Sequence, residues 1–195
     1  MSTDTTRAQF LTRGAKGGLA LVAGGTVLGL AVGPAAAQGS GDVAIARLAA
    51  TAELLAIDFY SRAISSRRFS GDDRRYLIEA RANERAHYTA LAKLIGRGAP
   101  RNLRFQYPAG TFASRMAVAK LGVALETAFV GAYLGAVTAL RSNELKGVAA
   151  SIAANEAQHL SVLTEITSDR PIGPAFPKAL TAAQATAAVT PFLHG

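Results

Sequence analysis

The chain of 195 residues contains no cysteine and no tryptophan. Without cysteine there can be no disulfide, iron–sulfur cluster or thiolate zinc site, so any metal has to be held by histidine and carboxylate. Histidine is scarce as well, with three in the whole chain, and only 17 % of residues are charged. An acid in an apolar setting therefore stands out. Acids are outnumbered 13 to 21, for a net charge of +8. Aromatic residues do not interleave with the bases as they do in nucleic-acid-binding surfaces, so no nucleic-acid partner is expected and the bases read as a soluble, arginine-rich face. The positive balance still suits an anionic partner such as a cell-envelope surface. Half of the residues are hydrophobic, enough to bury the core of one domain.

Two of the three histidines stand three residues after a glutamate, in Ala82-Asn83-Glu84-Arg85-Ala86-His87 and in Ala154-Asn155-Glu156-Ala157-Gln158-His159. On a helix, residues three apart share a face, so each motif offers a carboxylate and an imidazole to one point in space.

Residues 1–37 read as an export signal: a basic start, an apolar run of 14 residues from Leu19 to Val32, and Pro34-Ala35-Ala36-Ala37 as the cleavage site. The run is short of the ~20 residues that span a bilayer. Cleavage is expected after Ala37, with an uncleaved anchor as the alternative, and an exported location follows: periplasm, envelope or outside the cell. Thr6-Arg7-Ala8-Gln9-Phe10-Leu11 resembles a twin-arginine signal, with Ala8 where the second arginine belongs. Removing residues 1–37 takes away three bases and one acid and leaves +6.

Apolar spacing then predicts four helices within residues 38–168. The first begins at Asp42 as N-cap and runs to about Ser66, with Glu53 in the middle of an apolar stripe that includes Ala49, Ala52, Ala56, Phe59 and Tyr60. The second starts with a capping-box-like Ser70 and Asp73, carries Glu84 and His87, and ends around Gly96 to Gly98. Proline and glycine between Ala99 and Gly110 mark a crossover connection. The third helix runs from about Phe112 to Leu140 with Glu126 on its apolar face. The fourth, capped by Ser142 or Asn143, carries Glu156 and His159 and ends near Ser168. Residues 169–195 form a proline-rich tail expected to pack on the bundle, with a few helical turns from Ala182 to Val189. His194 has no glutamate three before it and receives no role.

The chain is internally duplicated. Glu84 and Glu156 are 72 residues apart, Glu53 and Glu126 are 73 apart, and a tyrosine follows the second pair by seven residues in each half, as Tyr60 and Tyr133. Within each half the acids are 31 and 30 residues apart, so about 15 residues up one helix and 15 down the next bring them level. The expected fold is all-α: two duplicated helical hairpins, joined by the crossover, packed as a four-helix bundle with four glutamates and two histidines at its centre.

Glu53 and Glu126 have no base near them on their stripes, whereas Glu79 has Arg75 four residues before it and reads as a surface residue. Burying an unpaired carboxylate costs several kcal/mol, so four facing one core require cations between them. Two divalent metals meet that requirement, held by Glu53, Glu84, His87, Glu126, Glu156 and His159. The tyrosines on the stripes read first as core filler and second as hydrogen-bond partners of the site.

The stretches Leu125-Glu126-Thr127-Ala128-Phe129-Val130-Gly131-Ala132-Tyr133-Leu134-Gly135-Ala136 and Asn155-Glu156-Ala157-Gln158-His159, with Glu53 and Asp58-Phe59-Tyr60, resemble the ferritin-like superfamily from about Asp42 onward, and most closely its exported, desiccation-related branch. The resemblance implies that Glu53 and Glu126 are terminal ligands, that Glu84 and Glu156 bridge the metals and that His87 and His159 each cap one ion. It implies two Fe or Mn ions and, as small substrates, O₂ or peroxide. A di-metal oxidoreductase of ferroxidase or peroxidase type is the first expectation. A non-catalytic envelope or stress-protection protein with a structural metal site is the second. Assembly into a homo-oligomer is left open by the sequence. Iron storage ranks below both, because seven glutamates, four of them in the site, leave few to nucleate mineral.

Overall fold

A computed structural model describes residues 40–194. The export reading of residues 1–37 lies outside them. The apolar stripes become four long helices: α1 (Ser40–Ser65), α2 (Gly71–Ile95), α3 (Arg115–Ala139) and α4 (Asn143–Ile166). A short α5 (Ala182–Val189) follows in the C-terminal segment, and single 3₁₀ turns, Gly96–Gly98 and Thr190–Phe192, extend α2 and α5. No sheet strand occurs among the described residues, where one isolated bridge pairs Phe105 with Leu193. The fold is an all-α four-helix bundle.

Link length decides the pairing. Residues 66–70 join α1 to α2 and residues 140–142 join α3 to α4, links short enough to force antiparallel neighbours. The longer stretch 96–114 connects the two hairpins. Gly96 ends α2 at φ +70°, where a side chain would be strained, and its N–H reaches the carbonyl of Ala92.

The helix starts are where local sequence and structure part. Asp42 does not cap α1, which begins at Ser40. Its buried carboxylate accepts from the N–H groups of Arg141 and Ser142, 3.0 Å each, and fastens the start of α1 to the α3–α4 turn. Ser70 precedes α2 but caps nothing with its side chain, and the Asp73 carboxylate, expected to reach back to it in a capping box, accepts instead from Arg115 Nε at 2.6 Å. α3 starts at Arg115 rather than near Phe112. Residues 108–113 are held in turns by Thr111 N–H to Pro108 O and Ala113 N–H to Gly110 O, and Ser114 then caps Ala117 N–H at 3.1 Å. Ser142 caps α4 through Leu145 N–H at 3.3 Å.

Two apolar clusters fill the bundle, one around Phe59, Leu77, Val118, Phe129 and Leu163, the other around Ala50, Leu91, Leu145 and Ile152. On each of the four long helices the buried acid falls between the two: Glu53 between Ala50 and Leu55, Glu84 between Ala80 and Leu91, Glu126 between Val118 and Tyr133, Glu156 between Ala153 and Leu163. The polar layer is clamped from both ends by packed side chains that exclude water.

The C-terminal segment lies along α3. Leu180 N–H donates to Gly131 O at 2.8 Å, and the Leu180 carbonyl sits so close to Gly135, one turn on, that a β-carbon there would overlap it. Glycine at both positions is what lets the two backbones touch. α5 opens with a capping box formed by Thr181 and Gln184 and packs against α1 and α3, burying Ala185 and Val189. Beyond it, Gln106 N–H to Phe192 O and His194 N–H to Arg104 O tie the segment's end to the crossover. His194 is exposed on this bridge.

Candidate metal centre

Four helices deliver six side chains to one point. Glu53 on α1, Glu84 on α2, Glu126 on α3 and Glu156 on α4 are each at most 2 % exposed, and His159 is 3 % exposed. They form two overlapping groups, Glu53, Glu84, His87 and Glu156, and Glu84, Glu126, Glu156 and His159. Each group brings four ligand atoms within 4.8 Å of one another.

The overlap has a definite sense. His87 Nδ1 lies 3.3 Å from Glu53 Oε2, 3.3 Å from Glu84 Oε2 and 3.2 Å from Glu156 Oε1. His159 Nδ1 lies 3.0 Å from Glu84 Oε1, 3.8 Å from Glu126 Oε1 and 3.2 Å from Glu156 Oε2. Glu84 and Glu156 thus turn one oxygen toward each imidazole, while Glu53 and Glu126 serve one side apiece. Glu79, by contrast, is exposed, and Arg75 pairs with Asp72 instead of with it.

The electrostatics show what the cluster lacks. Burial pushes the carboxyls of Glu84 and Glu126 well above the usual range, and the facing carboxylates push them further. Glu156 is the exception: burial works against its charge, but hydrogen bonds from His159 and His87 outweigh it and hold the carboxyl at about 2. The imidazoles respond in kind. Burial opposes their charge, yet Glu156, Glu53 and Glu84 drive His87 to about 12, and Glu156 and Glu126 raise His159. Protonated imidazoles therefore supply positive charge, and protonated, neutral carboxyls leave less negative charge for them to balance.

Protons meet the need only in part. A single N–H on each Nδ1 can donate along one direction at a time, but three carboxylates surround it. Glu53 Oε2, Glu84 Oε1, Glu126 Oε2 and Glu156 Oε1 are all buried without an aligned hydrogen bond. Several lie within ion-pair distance of an imidazole, close enough for attraction but badly directed for donation. No lysine or arginine pairs with any of the four among the described residues. A divalent ion accepts several ligands at once, and oxygen with imidazole nitrogen suits first-row metals. The donor set fits metal.

The family model described as the ferritin-like domain matches residues 41–169, which covers α1 to α4 and all six side chains. The chain belongs to the ferritin-like domain family. No curated protein matches it.

Around the ligand atoms of this ferritin-like domain, the tyrosines of the repeat cross over between hairpins. Tyr60 on α1 donates to Glu126 Oε1 on α3 at 2.5 Å, and Tyr133 on α3 donates to Glu53 Oε1 on α1. Both are buried, which with the adjacent carboxylates raises their hydroxyls well above the ordinary value and keeps them neutral donors. Core filling is therefore only half their role.

Two further residues were not singled out from the sequence. Asn83 Nδ2 lies 3.2 Å from His159 Nε2, and Tyr76 OH is 3.0 Å from Tyr60 OH and donates to the His159 carbonyl at 3.1 Å. The repeated Ala-Asn before each Glu was a usable signal for Asn83. Tyr76 had none, since its counterpart 72 residues later is Val148.

Proposed function

We propose that this protein holds two iron or manganese ions between its hairpins and uses them for redox chemistry on a small oxidant, either oxidation of Fe(II) by O₂ or peroxide, or removal of peroxide. The single observation that supports this reading most is the sharing of Glu84 and Glu156. Two four-ligand groups with two carboxylates in common hold a pair of ions close together, which suits transfer of two electrons better than a structural site, for which one group would do.

When bound, such ions supply one electron each. As a ferrous pair they would provide the two electrons that, with two protons, take O₂ to H₂O₂ or H₂O₂ to two waters, leaving Fe(III). Two manganese ions would instead cycle two H₂O₂ to O₂ and two waters. The protein's part is positional. Glu84 and Glu156 set the spacing, Tyr60 and Tyr133 fix the orientation of Glu126 and Glu53, and the apolar clusters keep bulk water out. Protons enter beside His87, whose side chain at 13 % exposure is the most open of the six. Export is part of the reading and is supported by the N-terminal residues alone; the remaining +6 suits an anionic envelope surface as its surroundings.

Anaerobic loading with Fe(II), followed by mixing with O₂ or with H₂O₂ while Fe(III) absorbance is recorded, tests the proposal. Oxidation well above that of free Fe(II), lost in Glu84→Ala, is the expected result. Metal that binds but oxidises no faster than in buffer would leave a structural role in its place.

A further inference from the structure

Beside the cluster lies apolar space that the metal site does not use. A pocket of about 50 Å³, partly open to solvent, lies between α1, α3 and the C-terminal segment, and a second of about 20 Å³, also partly open, is lined from all four long helices. Ile45, Ala49, Tyr133 and Ala136 line both, so the two spaces share the ring of Tyr133 as part of their wall. That ring ends in the hydroxyl that holds Glu53. Apart from that hydroxyl, every lining side chain is apolar or absent, and many are alanine.

Size and polarity narrow the occupant. A well-held water needs two to four polar partners, and the only side-chain polar group lining these pockets is the Tyr133 hydroxyl. A cavity that accepts a benzene ring measures ~150 Å³, so these spaces suit something far smaller. Peroxide would lose its hydrogen bonds on entering. Dioxygen, a small apolar diatomic, loses none. The matching tyrosine of the other half is surrounded differently: Tyr60 packs edge-on against Phe59, Tyr76 and His159.

We infer that the paired cavities around Tyr133 are a holding site for dioxygen, which reaches the Glu53–His87 side of the cluster from beneath α5. The inference rests on the redox reading above and narrows it to O₂ as the oxidant the protein gathers. No bond changes in this step, which is a partition of gas from water into apolar space.

Xenon binds where small apolar gases do. Crystals of the full chain under xenon pressure should show the atom against Ala49, Tyr133 and Ala136; xenon found elsewhere, or nowhere in the protein, overturns the inference. Filling the space with Ala136→Leu should slow Fe(II) oxidation by O₂ several-fold and leave oxidation by H₂O₂ unchanged, whereas equal slowing of both would overturn it. Should Ala136→Leu fail to fold, Ala136→Val fills part of the space and is read in the same way. A protein that binds no metal would remove the redox reading while the xenon result still decides whether the cavity takes gas.

Discussion

The two sides of the cluster are built from one repeat and finished differently. Around Glu126 and His159 stand hydroxyls and rings: Tyr60, Tyr76 and the Asn83 amide, all within hydrogen-bond reach of the site or of one another. Around Glu53 and His87 stand Tyr133, methyl groups and empty apolar space, and the imidazole is more open to solvent. The Glu and Glu-x-x-His side chains at the centre recur in both halves. Their neighbours diverged. Val148 replaces Tyr76 in the second hairpin, and Gln158 replaces Ala86. The second exchange explains why Asn155 does not repeat the work of Asn83: its amide donates to Gln158 Oε1 instead of turning to His87.

Breaking the comparison should cost most at Tyr76. Tyr76→Val gives the His159 side the residue its repeat carries and removes a largely buried ring, for an expected loss of about 2–4 kcal/mol in urea unfolding. No loss would mean the tyrosine pair is ornamental. Protonation comes next. Because Glu84, Glu126, His87 and His159 all hold protons more tightly than usual, ions must displace them, and metal affinity should rise with pH by about tenfold per displaced proton per unit. Calorimetry in buffers of different ionisation enthalpy counts the protons released, and zero release would contradict the electrostatics. Asn83→Ala should weaken metal binding by about tenfold, as loss of a histidine's outer partner does, while Asn155→Ala changes little. Smallest of all, Gln158→Ala frees Asn155 for His87 and should tighten that side by a few-fold; a metal titration in which the two steps stay as far apart as before counts against the explanation.

The bundle and its acids were legible because both obey short rules. Helical periodicity gives the buried face, and a carboxylate on that face without a base nearby demands a partner. Glu53 and Glu126 met both conditions, Glu84 and Glu156 were marked instead by a histidine three residues on, and the duplication set all four level. What stayed hidden depends on contacts between residues far apart in sequence. Asp42 looks like an N-cap until the α3–α4 turn arrives with two free N–H groups. Asp73 looks like half of a capping box until Arg115 takes it. Tyr60 and Tyr133 sit on apolar stripes like any core tyrosine, and only the packing of one hairpin on the other shows that each serves the opposite glutamate. Gly131 and Gly135 carry no sign of the backbone that lies on them.

The most direct test of the account is metal content per chain, measured on the full chain and on the Glu84→Ala, Glu156→Ala double variant. Because both acids belong to both groups, the account predicts about two ions per chain in the native protein and almost none in the variant. A native protein that holds no metal, and takes up none when offered Fe(II) or Mn(II), would contradict it.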